Sequence, residues 1–155
     1  MPPRQIIEFL ENQKVPYEVF AHERAYTAQG VTAAAHVRGR DFAKVVIVKA
    51  AEGRQVMAVI PGPRHVDLDA LGGLLGSRVE LAREEEFAGL FPGCELGAEP
   101  PFGNLYGLQV YADESLHRDP DVVFNAGNHN EVIRMKWLDY ERVVHPVVAA
   151  LSKPN

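Results

Sequence analysis

Lys44 interrupts a run, Phe42-Ala43-Lys44-Val45-Val46-Ile47-Val48, that otherwise reads as a buried strand. Strand side chains alternate between faces, so Lys44 shares a face with Phe42, Val46 and Val48. An ammonium is seldom taken out of water without a partner or a task. Burial lowers its pKa and a nearby phosphate or carboxylate raises it, and either makes a strand lysine a candidate site residue. Read from the strand alone, the pattern favours a plainer state, a lysine at the strand's edge whose stem packs while its head reaches water.

Two loops carry further candidate chemistry. In Gly97-Ala98-Glu99-Pro100-Pro101-Phe102-Gly103 two glycines bracket two prolines. The prolines stiffen the loop and remove two backbone donors, and the small residues allow close approach of a ligand to exposed carbonyls. It is no phosphate loop, because the glycine spacing and the following Lys-Ser/Thr are missing. A stiff structural connection has the same composition. Phe124-Asn125-Ala126-Gly127-Asn128-His129-Asn130 offers amides and an imidazole, donors and acceptors without permanent charge, suited to a ribose or an amino-acid backbone. A hairpin turn with Gly and Asn in left-handed conformations explains it equally well.

Other chemistries find little support. The histidines at 22, 36, 65, 117, 129 and 145 form no His-x-x-x-His pair and no carboxylate motif completes a metal site. No metal and no cofactor is expected. Cys94, the only cysteine, excludes an internal disulfide and has no nucleophile motif around it; beside Phe91 and Leu96 it reads as a packed small hydrophobe. Gly-x-Ser-x-Gly is absent. Asp113, Asp119, Asp121 and Glu131 read as solvated loop charge, and Arg83-Glu84-Glu85-Glu86 as the start of a helix, where acidic residues suit the dipole.

The chain of 155 residues is expected to form one domain with a real core. Its 46% hydrophobic and 24% charged residues are ordinary for a soluble globular protein. No apolar run approaches the ~20 residues that span a bilayer. Met-Pro-Pro-Arg-Gln opens an amphipathic segment rather than a signal peptide, and with a single cysteine a cytoplasmic setting is expected, with no membrane contact. The net charge of −5 argues against a general nucleic-acid coat, and no basic recognition helix suggests DNA binding. The charge is uneven, however. Residues 1–64 hold nine Lys/Arg against six Asp/Glu, and residues 65–155 seven against fifteen. A basic face drawn from Arg38, Arg40, Lys44, Lys49, Arg54 and Arg64 is available to phosphates; ordinary solubilising charge is the competing explanation.

The elements that must position these groups follow from periodicity. A helix is predicted over 3–13, with Ile6, Ile7 and Leu10 as its apolar stripe. Tyr17 to Phe20 reads as a strand, and Thr27 starts a helix to about His36, closed by Gly39. Residues 42–50 and 56–60 form a hairpin about Glu52-Gly53, stopped by Pro61-Gly62-Pro63. Asp67 caps a third helix with Leu68, Leu71, Leu74 and Leu75 inward and Gly76 at its end. Strands are predicted at 79–81, 105–112, 122–125 and 132–135, and a last helix at 139–151, bent at Pro146. Strands and helices mix without a strict βαβ rhythm, so the class is α/β in the mixed α+β sense.

Taken in order, Val15-Pro16-Tyr17-Glu18, His22 and Thr27, Ala43-Lys44-Val45-Val46, Gly97 to Gly103, Asn125-Ala126-Gly127-Asn128, Val132-Ile133 and Asp139-Tyr140 resemble the YbaK/aminoacyl-tRNA synthetase-associated domain family, which includes the editing domain inserted in bacterial prolyl-tRNA synthetase. The resemblance covers nearly the whole chain. It implies a single domain over 1–155, with a central mixed, mainly antiparallel sheet or partial barrel flanked by helices, that hydrolyses mischarged aminoacyl-tRNA in trans. The family's site lysine falls on Lys44. Its substrate contacts fall on His22, Tyr26, Thr27, Gly97, Ala98, Pro100, Pro101, Phe102, Gly103, Asn125, Ala126, Gly127, Asn128 and His129. One departure bears on the amino acid removed: Pro100-Pro101 stands where several members have Ser-Pro.

The resemblance also implies a mechanism without a protein nucleophile. The aminoacyl ester is already activated and the neighbouring ribose hydroxyl can assist, so the protein positions water and stabilises oxyanion charge. Lys44, facing both loops, would place and polarise the charged substrate end. Gly97, Ala98, Asn125, Ala126 and Gly127 would orient amino acid, ribose and water, with Phe102 and the prolines setting pocket size as a second sieve. The implied partner is the aminoacyl-tRNA 3′ end, delivered by a synthetase or an elongation factor. A non-catalytic module of the same fold, reading a nucleotide or an amino acid, is the alternative. The amino acid, the tRNA and the oligomeric state are not legible.

Overall fold

A computed structural model describes residues 1–154. The predicted hairpin is its centre: β2 (Ala43–Lys49) and β3 (Gln55–Pro61) pair antiparallel across their full lengths, from Ala43–Pro61 to Lys49–Gln55. Their connection turns on Glu52 (φ 64°) and Gly53 (φ 76°), the left-handed geometry that a tight return requires. With β5 (Glu80–Leu81), β6 (Val110–Asp113) and β9 (Val147–Ala149) they form a five-stranded mixed sheet in the order β5-β2-β3-β6-β9. The β3–β6 and β6–β9 pairs are parallel. A second, antiparallel sheet has the order β1-β8-β7, from Tyr17–Ala21, Glu131–Lys136 and Asp121–Asn125. A two-stranded ribbon joins β4 (Arg64–Val66) to β10 (Ser152–Pro154). The two larger sheets meet at one parallel bridge, Phe42–Val123. They do not close into a barrel.

Alternation along these strands divides the core. Inward, Ala43, Ile47, Met57, Val59, Phe124, Ile133 and Met135 pack with Ile6 and Leu10 of α1 (Arg4–Asn12) and with Trp137 and Tyr140 of α5 (Trp137–Val144). Outward, Val48, Ala58 and Ile60 pack on Leu71 of α3 (Leu68–Leu75), and Phe42, Val123 and Val132 on Val31 of α2 (Ala28–Ala35). Fully burying a side chain of this kind contributes about 1.5–3 kcal/mol. Thr27 Oγ1 accepts from the Gly30 N–H and Asp67 from the Ala70 N–H, so both predicted N-caps form. The acidic segment begins α4 (Glu84–Phe87) as expected.

Several boundaries differ from the sequence reading. The last helix ends at Val144, because His145 takes a left-handed conformation (φ 55°) and Pro146 leads into β9 instead of bending a helix. Of residues 105–112 only the last three are strand; Gly103–Leu105 is a 3-10 turn and Gly107 has φ 74°. α2 ends at His36 as expected, but the left-handed His36 itself closes it in place of Gly39. Leu74 is 48% exposed, so the stripe of α3 is narrower than predicted.

Candidate active site

Lys44 lies where the sequence placed it, on the outward face with Val46 and Val48, between the clusters under α2 and α3. Its side chain is half-buried, and among the described residues it makes no ion pair. Burial alone therefore holds its ammonium below the usual lysine range. A groove of about 490 Å³ opens in front of it, walled by Val46, Ile60, His65, Val66, Leu68, Asp69, Leu81 and Lys153.

The sheet geometry brings one residue of the second loop to this face. Phe42 and Val123 form the parallel bridge and both point into the cluster under α2. Two residues further along each strand the alternation returns to the same side, at Lys44 and at Asn125. Asn125 Oδ1 is buried without a partner, as is His22 Nε2 just beyond β1, whose Nδ1–H donates to the Glu23 carbonyl at 2.6 Å. Buried polar atoms left without partners are uncommon, and each calls for a reason.

The two loops come together, as the sequence suggested, but largely to hold each other. The Gly127 N–H donates to the Ala98 carbonyl at 3.0 Å, and the Glu95 N–H to the Gly127 carbonyl at 2.7 Å. Gly127 has φ 90°, and a Cβ there would lie 2.4 Å from Pro3 Cδ, so glycine is needed for conformation and space alike. The His129 N–H donates to Glu95 Oε1, its Nε2–H to the Leu96 carbonyl at 2.9 Å, and its ring lies 4.6 Å from that of Tyr26. Asn128 donates to Glu131 Oε1 and accepts from the Asn130 N–H. Thr27 Oγ1 is engaged as a cap. The backbone contacts expected from Ala98 and Gly127 are therefore already made within the protein.

The first loop corrects the sequence reading more strongly. Phe102 is fully buried and sits edge-on to Phe9, Phe124 and Tyr140 in the inner core, so it does not line a pocket. Pro100, Pro101 and Gly103 are buried too, and the Pro101 carbonyl accepts from Tyr140 Oη at 2.6 Å. This loop lies on the inward side of the sheet, so Lys44 does not face both loops. Sequence reasoning missed the residues that fix this arrangement. Glu95 ties the His129 N–H to Arg24, and Glu99 Oε2 accepts from the Gly97 N–H at 2.9 Å. Burial pushes the Glu99 carboxyl upward, opposed by that bond. The available signal was two acidic residues flanking a glycine turn.

Among the described residues no three of His, Cys, Asp or Glu gather where they could hold a metal ion. Nor, among the described residues, is any helix long and apolar enough to cross a membrane. Residues 22–143, which span Lys44 and both loops, match the aminoacyl-tRNA editing domain family. The chain belongs to that family. The editing domain is 28% identical over 151 residues to the multifunctional Ser/Thr-tRNA deacylase ProXp-y of Escherichia coli K12, covering 92% of this chain and 88% of that protein; the O157:H7 protein matches to the same extent. The fold is shared with hypothetical protein APE2540, at TM-score 0.88 and 22% identity over 97% of this chain and 100% of that one. It is shared also with a candidate trans-editing enzyme for prolyl tRNA synthetase, at TM-score 0.83 and 23% identity over 97% and 96%. The editing domain is thus a hydrolase whose reaction is cleavage of the ester of mischarged aminoacyl-tRNA.

Proposed function

We propose that the enzyme works in trans on tRNA carrying a small hydroxyl-bearing amino acid, serine or threonine, and that Lys44 and Asn125 act at its ester. The observation that carries this is the presence on one face, among the described residues, of an ammonium without a counter-ion and a buried amide oxygen without a donor. Both are incomplete in the free protein and complementary to one substrate. Asn125 Oδ1 accepts from the amino group or hydroxyl of the amino acid. Lys44 stabilises the charge that develops on the carbonyl oxygen, which costs no reorganisation when the group is already in position. The ribose hydroxyl beside the ester and a bound water supply the rest of the reaction, so no protein nucleophile is needed. The likeness to a Ser/Thr-tRNA deacylase supports the amino-acid class. The net charge of −5 favours delivery of the substrate by a synthetase or elongation factor in the cytoplasm over tight capture of free tRNA.

A panel of mischarged tRNAs, each incubated with the enzyme and followed by release of labelled amino acid, tests the reading. Turnover of seryl- or threonyl-tRNA on a non-cognate tRNA, well above that of larger residues, is expected. Turnover confined to another amino acid would refute the substrate class, and binding without turnover would refute the enzymatic role.

A further inference from the structure

The groove before Lys44 continues onto an element that has had no task so far, the ribbon of β4 and β10. Lys153 stands directly opposite His65 in that antiparallel pair. Opposed residues project to the same face, and both line the groove with Lys44. The ribbon is held from its other side and from its root. Arg64 donates from Nε to Ser152 Oγ at 2.7 Å and from Nη2 to the Ser152 carbonyl at 2.9 Å. The Leu151 N–H donates to Asp113 Oδ1 at 2.9 Å, and the Asp67 N–H to the Leu151 carbonyl at 2.8 Å. Like Lys44, Lys153 makes no ion pair among the described residues. A chain with formal charge −5 thus carries a local row of two lysines and an imidazole in one groove, against, among the described residues that line it, the one carboxylate of Asp69.

The geometry points to this groove as the track for the sugar–phosphate backbone of an unpaired ribonucleotide strand, the 3′ end of the tRNA, with Lys153 and His65 on phosphates upstream of the ester at Lys44. This rests on the proposed function of Lys44. Its volume of about 490 Å³ suits one or two nucleotides and is far too small for a duplex. Leu68 and Leu81 give the bases an apolar wall. Asp69 is an acceptor for a ribose hydroxyl, the donor that distinguishes RNA from DNA.

The test uses the full chain with His65→Ala, Lys153→Ala and the double variant, and Lys14→Asn as a control at an exposed left-handed position after α1. Binding of uncharged tRNA is measured over a salt series, and deacylation is measured separately. Removing the Lys153 contact should lower the slope of log affinity against log salt by about 0.7. KM for aminoacyl-tRNA should rise roughly threefold to tenfold while kcat stays within about twofold. Lys14→Asn should alter neither. A double variant with the unmodified salt slope overturns the proposal, as does one that loses kcat at constant KM, or an unmodified chain that shows no tRNA binding. The binding slope needs no turnover, so failure of the deacylase reading and failure of this one are distinguishable.

Discussion

Lys44→Met keeps most of the side chain's volume and removes its charge, so it separates what the lysine does for the fold from what it does for the reaction. Lys44 is half-buried, and burial is the only cause that moves its pKa below the ordinary 10.5. A folded-state pKa below the unfolded value means that the folded chain binds fewer protons. The charged lysine therefore opposes folding at neutral pH, and this opposition fades as pH rises through the lowered folded-state pKa and is gone above the ordinary value. Methionine removes it, so stability at pH 7 should hold or increase. A gain of about 1 kcal/mol would raise Tm by roughly 2–4 °C in a domain of this size. The rate should move the other way. Removing one preorganised group that meets a developing oxyanion costs about 10²–10³ in kcat, or ~2.7–4 kcal/mol. Single-turnover release of labelled amino acid, beside calorimetry of the same samples, reads both quantities. A variant with the unmodified rate would refute the reasoning. So would a slow variant whose Tm had fallen by more than about 5 °C, since the loss would then be structural.

Gly127→Ala should destabilise by roughly 2–5 kcal/mol in denaturant titration, from a strained φ of 90° together with the clash against Pro3. Tyr140→Phe strands the Pro101 carbonyl in the core and should cost about 1–3 kcal/mol in the same assay. Lys49 and the Arg83 N–H hold the Glu86 carboxyl at about 2, so its contribution is complete above the ordinary 4.5 and is lost as pH falls toward 2. Glu86→Gln should flatten Tm against pH across that window, and an unchanged profile would count against the pairing.

How much was legible in advance depended on how far each signal reached. The β2–β3 hairpin could be read because apolar runs flank a turn dipeptide, and the face of Lys44 because strand alternation is strictly local. Ser152–Pro154 was invisible: three polar or proline residues carry no strand pattern until Arg64–Val66 lies beside them. Pro146 reads as a bend because a proline after a helical stripe fits a bend as well as a stop, and the left-handed His145 that decides it has no Gly or Asn signature. The loops show the same limit at the site. Small residues announce close approach but not of what, and here Gly127 approaches Ala98 and Pro3 rather than a ligand. Phe102 reads as a pocket wall in sequence because only tertiary packing reveals which side of the sheet its loop covers.

The ladder that joins the two large sheets is a single residue pair long. Among the described residues, Phe42–Val123 is the one bridge between the strands that carry Lys44 and Asn125. Their separation is gauged by the thickness of the side chains at the seam, Phe42 wedged among Val31, Val123 and Val132. The spacing of Lys44 and Asn125 is thus set at a dry hydrophobic joint. Trimming Phe42 would alter that spacing from behind, without changing either polar group.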